Sequence, residues 1–304
     1  MSEIRQPKRL ADYQAPAFVI EQTLLRVELD PSATRVYSKL KFRRQTAGSL
    51  WLDGQALQLI SIRLNDAPLD EDAYQLCDKG LMINESGDSG ILEVITQINP
   101  EQNTALEGLY LADGVYCTQC EAEGFRRITY YPDRPDVLSV FTTTIVADQA
   151  QLPFLLSNGN KIATEQLADG RTAVTWHDPF PKPSYLFALV AGDFDVLADR
   201  FVTASGREVA LEFFVEKGKG RRAAFALGAL QRAMRWDEQR FGLEYDLDRY
   251  MVVAVDFFNM GAMENKGLNI FNSKYVLADE QTATDNDYFH IESIIGHEYF
   301  HNWT

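Results

Sequence analysis

Gly296-His297-Glu298-Tyr299-Phe300-His301-Asn302-Trp303-Thr304 closes the 304-residue chain and governs how the rest of it is read. Residues four apart on an α-helix lie one above the other on a single face, so His297 and His301 can offer imidazole nitrogens to one metal ion. Glu298 follows the first histidine directly, where its carboxylate reaches water beside such an ion. That combination is a zinc-hydrolase signature, in which the metal makes water acidic and the glutamate accepts its proton. Two unrelated histidines on a solvated helix would show the same spacing, so the motif needs support from residues upstream. It is also one ligand short, because hydrolytic zinc takes three protein ligands and keeps one position open. No neighbour in sequence supplies the third, and the expectation is that it lies beyond Thr304.

Working back from the motif, a helix is expected from about Asp287 onward. His290 shares its face with His297, but seven residues advance about 10 Å along the axis, too far for one coordination shell. Tyr250 to Val255 is a continuous apolar run, the pattern of a strand buried on both faces. Before it, Leu227, Leu230, Met234 and Phe241 fall on one helical stripe, and Gly242 stands where a C-terminal cap belongs. Gly218-Lys219-Gly220-Arg221-Arg222 lacks phosphate-loop spacing and reads as the solvated start of that helix. Upstream of Gly192-Asp193 the texture is different. Short alternating runs at Leu25–Leu29, Val36–Phe42, Leu59–Leu64 (with Ile60 and Ile62), Leu92–Ile98, Phe141–Val146, Arg171–Trp176 and Tyr185–Ala191 carry no helical stripe between them. Asp178-Pro179-Phe180-Pro181-Lys182-Pro183 reads as a rigid turn, with His177 in a loop beside it. The expected fold is therefore mixed: an antiparallel β-sandwich or saddle over 1–193, then an α+β unit over 194–304.

Composition narrows the class. The chain is 46% hydrophobic and 24% charged, ordinary for a globular protein, with net charge −15 and a pI near 4.7. An acidic surface argues against binding a phosphate backbone, so nucleic acid is not an expected partner; it could favour substrates with a cationic end. No run of eighteen apolar residues occurs, Met1 to Leu10 holds no leader-like apolar stretch, and three cysteines do not make a disulfide framework. A cytoplasmic protein without integral membrane association is expected.

Asn259-Met260-Gly261-Ala262-Met263-Glu264-Asn265 follows the buried strand, where active-site loops tend to lie, and Gly261 and Gly267 would let a ligand approach the backbone closely. With Gly-Ala-Met-Glu-Asn some thirty residues ahead of His-Glu-Tyr-Phe-His-Asn-Trp, the chain resembles the gluzincin aminopeptidases of the aminopeptidase N family, in its bacterial branch. The likeness runs upstream through Gln119 to Arg127 and Thr129 to Asp136, and so covers essentially the whole chain.

The resemblance implies a thermolysin-like catalytic unit, one Zn2+ per full-length chain on His297, His301 and a later glutamate, and Glu298 as general base. It implies that Glu264 holds the α-amine of a peptide with a free N-terminus, assisted by Glu121 and Gln119. Two carboxylates on one ammonium give charge-assisted hydrogen bonds and close the cleft after one residue. Gly261 and Ala262 would pair with the peptide backbone as an added strand. Met260 is either a lining of the first side-chain pocket, suited to varied shapes, or plain core. Cys117-Thr118-Gln119-Cys120, lying among strands and without a second pair, is taken as part of the substrate-facing loop rather than a redox centre. The chain departs from the family in stopping before the third ligand and the oxyanion-stabilising tyrosine. It is thus expected to be an inactive fragment of a zinc aminopeptidase. A related hydrolase acting on an epoxide is disfavoured by Met263, and a non-catalytic binder of free N-termini is the alternative from another class.

Overall fold

A computed structural model describes residues 9–304; Met1 to Lys8, most of the stretch read above for a leader, lies outside them. The first half is built on an eight-stranded sheet. Its order from edge to edge is Asn160–Gln166, Thr172–Lys182, Ser139–Ala147, Phe18–Glu28, Thr34–Arg44, Ser89–Ile98, Gln58–Leu64 and Ala67–Pro68. Every pairing is antiparallel except that of Phe18–Glu28 with Ser139–Ala147. A four-stranded sheet (Phe154–Ser157, Leu189–Gly192, Val115–Gln119, Gly108–Ala112) and a small three-stranded one complete this half. The β-rich expectation holds, with one parallel pair that alternation alone could not show.

Local departures have local causes. A bulge between Leu59 and Ser61 makes Ile60 the extra residue and turns it outward, so only Ile62 of the two isoleucines reaches the core. The Pro-rich stretch is not a turn: the strand Thr172–Lys182 runs through it. Its register slips so that Asp178 pairs with Phe141 and Lys182 with Ser139, leaving both prolines of Pro179-Phe180-Pro181 outside the paired positions. His177 accordingly sits in that strand, its Nδ1 3.0 Å from Thr142 Oγ1.

Between Gly192 and Asp195 the chain leaves these sheets, and there we propose the domain boundary. The second half carries a five-stranded sheet in the order Asp195–Val202, Glu208–Val215, Arg249–Val255, Leu268–Asn272, Ala262–Met263. Arg249–Val255 is parallel to both neighbours and buried from Tyr250 to Val255, as its unbroken apolar run demands. Helix α1 (Ala224–Phe241) forms the crossover into it and ends on Gly242 at φ 69°, the left-handed cap. Leu227, Leu230 and Met234 are buried as expected, but Phe241 is not; in the last turn it stacks at the surface with Trp236 and Phe300. Helix α2 (Asp285–Phe300) starts two residues earlier than expected, because Thr284 and Asp287 form a reciprocal capping box.

The two halves share apolar packing. One continuous core joins Phe125, Tyr131 and Phe141 of the first half to Met251, Val253, Met263 and Ile270 of the second. Under the Gln119–Arg127 loop, Phe125 meets Tyr131, Phe187 and Phe141 edge-on at 5.0, 5.2 and 5.9 Å between ring centres. Each such pair adds roughly 0.5–1.5 kcal/mol beyond its buried area. Gly124 closes this loop so tightly that a Cβ there would lie 2.3 Å from the Gln119 carbonyl oxygen. Backbone cannot yield as a flexible side chain does, so Gly124→Ala is expected to cost about 1–3 kcal/mol in urea unfolding; an unchanged midpoint would show that the loop is looser than described.

Candidate active site

The buried stripe of α2 is Ile291, Ile295, Glu298 and Tyr299. Glu298 thus occupies a position where the helix otherwise presents apolar side chains to the core. The helix seats on a trio of tyrosines: Tyr299 lies 5.6 Å from Tyr250 and 6.2 Å from Tyr245, ring centre to ring centre. Tyr245 donates to the Arg249 carbonyl at 3.0 Å and Tyr250 to Asn269 Oδ1, so that floor is itself anchored. His297 is exposed and His301 half-buried, at the rim.

The two rim histidines face each other, with their Nε2 atoms 3.1 Å apart and their rings nearly perpendicular. Two nitrogens on one tetrahedral zinc at about 2.0–2.1 Å would stand roughly 3.3 Å apart, so the pair fits one such ion without rearrangement. A ligating oxygen of Glu264, one of Glu298 and a nitrogen of His301 lie within 4.8 Å of one another. The sequence offered no carboxylate beside the motif, yet the fold delivers Glu264 from another segment. His297 is outside that trio.

Glu264 is positioned by the short strand Ala262–Met263, the edge of the five-stranded sheet. Met263 is buried, and Glu264 emerges half-buried between it and buried Asn265. The Gly261 carbonyl accepts the Asn272 N–H at 3.0 Å. By the alternation of an antiparallel ladder, the N–H and C=O of Ala262 then point to the open edge. Gly261 is exposed, whereas Gly267 is not open to any ligand: at φ 75° it is buried, and a Cβ there would meet Leu247 at 2.8 Å. Its role is packing and turn geometry. Met260 lies at the surface, 44% exposed, and is absent from the lining of the neighbouring cavity.

From the first half, the strand Val115–Gln119 brings Gln119 in from the opposite side. Buried Gln119 donates to the Glu121 carbonyl (3.3 Å) and lies 3.7 Å from Met263 Sδ, so the two halves touch here. The following loop is held by Arg126, whose Nε and backbone N–H donate to Asp133 at 3.0 and 3.2 Å, while Ser184 donates to the same carboxylate at 2.6 Å. Glu121 is exposed on this loop. Cys117 and Cys120 are fully buried, and burial pushes the Cys117 thiol up to about 12; they face the core, not a substrate.

The electrostatics are those of crowded carboxylates. Burial raises Glu298 to about 7, with the charges of Glu264 and Glu121 adding to it. Glu121, though largely exposed, is raised by partial desolvation of its carboxyl and by Glu264, with His301 opposing. Tyr185, which no sequence pattern marked, is raised by burial and by the same two glutamates, and so belongs to the cluster. Beside it opens a cavity of about 250 Å³ lined by Tyr250, Glu264, Lys266, Glu298, His301 and Asn302 among others. Such a concentration of negative charge suits a cation. His290 stays outside it, on the second turn of α2 near Asn286.

The sequence matches two families in succession, the Peptidase M1 N-terminal domain over residues 22–186 and the Peptidase family M1 domain over residues 225–304. Aminopeptidase N of Haemophilus influenzae is 58% identical over 298 residues, 96% of this chain and 34% of that protein. Aminopeptidase N of Escherichia coli strain K12 is 57% identical over 306 residues, 100% of this chain and 35% of that protein. Among solved structures, Legionella pneumophila aminopeptidase A in complex with aspartic acid matches with a TM-score of 0.91 at 37% identity, covering 97% of this chain and 35% of that one. The chain spans about a third of the length of these relatives. The resemblance carried by the two motifs is borne out along nearly all of it.

A carboxyl whose pKa rises on folding favours its protonated form in the folded state. Glu298 therefore weakens stability progressively as pH climbs from the ordinary 4.5 to about 7. In chelator-treated protein, Glu298→Gln is expected to stabilise by up to about 3 kcal/mol at pH 8 and by almost nothing at pH 4. Urea unfolding at the two pH values measures this, and an equal effect at both would contradict it.

Proposed function

The chain belongs to peptidase family M1, and from that membership together with the geometry of its site we propose that the protein is a zinc-dependent aminopeptidase. His297 and His301 hold the metal. Zinc, when bound, supplies a Lewis acid and makes water acidic at neutral pH. Glu298 accepts the proton of the attacking water and passes it to the leaving amine. Glu264 and Glu121 bind the substrate's α-ammonium by charge-assisted hydrogen bonds, with Gln119 beside them. Ala262, with Gly261, aligns the peptide along the sheet edge as an added strand. Peptides with a free N-terminus are the substrates, and no nucleic acid is involved. Among the described residues no helix is long and apolar enough to cross a membrane; a cytoplasmic location is part of the proposal.

The observation that carries the reading is Glu298. Among the described residues its side chain has no hydrogen-bond partner, and its burial costs the folded chain stability as pH rises above 4.5, in full above about 7. A purely structural position would be filled better by an apolar side chain; a proton acceptor beside two facing imidazoles explains the acid. A binder of free N-termini without catalysis would need Glu121 and Glu264 but not Glu298. With Glu264 assigned to the substrate amine, the described residues offer zinc the two histidines. In isolation they are expected to hold it weakly and to release no amino acid.

In the full-length protein, Glu298→Ala is expected to lower kcat by about 10²–10⁴ while zinc content stays at one per chain. Glu264→Gln should raise KM for peptides with a free N-terminus and leave zinc content unchanged. N-terminal acetylation should abolish turnover. Loss of zinc in Glu264→Gln would instead make Glu264 a metal ligand, and cleavage of acetylated peptides would contradict an aminopeptidase.

A further inference from the structure

His301 stands at the end of helix α2. The helix ends at Phe300, and His301 is its cap residue, its N–H donating to the His297 carbonyl at 3.3 Å. Helix ends fray, and a ligand placed there moves with the fraying. The residues that follow turn back onto the helix, with the Asn302 and Trp303 N–H groups donating to the Tyr299 and Phe300 carbonyls at 3.0 Å, and their side chains are tied down from outside. Asn302 uses both ends of its amide: Oδ1 accepts from Lys266 Nζ at 3.0 Å and Nδ2 donates to Asp246 Oδ1 at 3.3 Å. Lys266 Nζ also donates to both carboxylate oxygens of Asp246 at 2.7 Å, forming a closed triangle of three side chains. The lysine is only 12% exposed and its ammonium lies 4.7 Å from the centre of the Phe180 ring. Its backbone is fixed too, because the Lys266 carbonyl accepts from Asn158 Nδ2 at 2.8 Å, and Asn158 in turn bonds Leu186 and Ala188 of the first half.

Lys266 follows Glu264 by two residues, and Asn302 follows His301 by one. We propose that Lys266 is a positioning residue. Through Asn302 it fixes His301 at the helix end, and through its own backbone it fixes Glu264, so that it sets the distance between the metal and the site of the substrate amine. This rests on the zinc-aminopeptidase reading above. Trp303, whose Nε1 donates to Asp237 of α1 at 3.3 Å, braces the far side but has no link to the Glu264 loop. Lysine suits the task because three donors on one compact ammonium can meet Asp246 and Asn302 together.

The test compares full-length wild type, Lys266→Met, and the double variant Asp246→Asn with Lys266→Met. The double variant removes both charges and so leaves no unpaired ion. Zinc affinity is measured by competition with a chromophoric chelator, ligand geometry by the visible absorption of the cobalt-substituted protein, and stability by thermal unfolding without metal. Lys266→Met is expected to weaken zinc about 10–100-fold, as loss of a partner behind a ligand does, and to shift the cobalt spectrum. The double variant should regain metal-free stability while zinc affinity stays weak. A Lys266→Met affinity within twofold of wild type would overturn the proposal, as would a double variant that recovers affinity together with stability. Wild-type protein that binds no zinc would overturn both this inference and the functional reading; tight wild-type binding with an unaffected variant would sink this inference alone.

Discussion

A carboxyl group buried in the apolar stripe of a helix is the constraint on which the rest depends. Glu298 shares that stripe with Ile291, Ile295 and Tyr299 and faces the negative charge of Glu264 and Glu121. Folding must supply enough apolar contact elsewhere on α2 to hold it there, and the trio Tyr245, Tyr250 and Tyr299 does so. What folding stability loses is what a proton acceptor near neutral pH requires.

The second constraint is convergence. The histidines come from a helix, Glu264 from the edge of a mixed sheet, and Glu121 from a loop of the first half. These parts meet because one apolar core runs between the halves and because Gln119 reaches across to Met263. The loop bearing Glu121 is stiffened from beneath by packed aromatic rings and from the side by the Arg126–Asp133–Ser184 network. Side chains held on such elements can wait in place for a substrate, which is how binding energy is kept for the reaction.

Much of this was legible in the residues. The i, i+4 histidines mark the helix, the run from Tyr250 to Val255 identifies a central strand, and Gly242 marks the end of α1. What escaped has physical causes. A parallel pair between Phe18–Glu28 and Ser139–Ala147 leaves no trace in local alternation, since partner identity is a non-local property. Ile60 followed the period-two pattern until a bulge turned it outward. Pro179 and Pro181 read as a turn because proline cannot donate to a ladder, yet a slipped register lets the strand pass through them. Gly267 looked open to ligand and is packed against Leu247 instead. The approach of Glu264 to His301 and the triangle of Lys266, Asp246 and Asn302 depend on tertiary contacts. Spacing gave no sign of them, and the likeness to a known family suggested only the role of Glu264.

The central claim is that His297 and His301 turn their Nε2 atoms to one zinc ion beside Glu298. X-ray absorption at the zinc edge of the metal-loaded full-length protein tests it most directly. Two imidazole shells at about 2.0–2.1 Å are expected, falling to one in His301→Ala; bound zinc whose spectrum holds no imidazole contribution, or is unchanged by that substitution, would contradict the account.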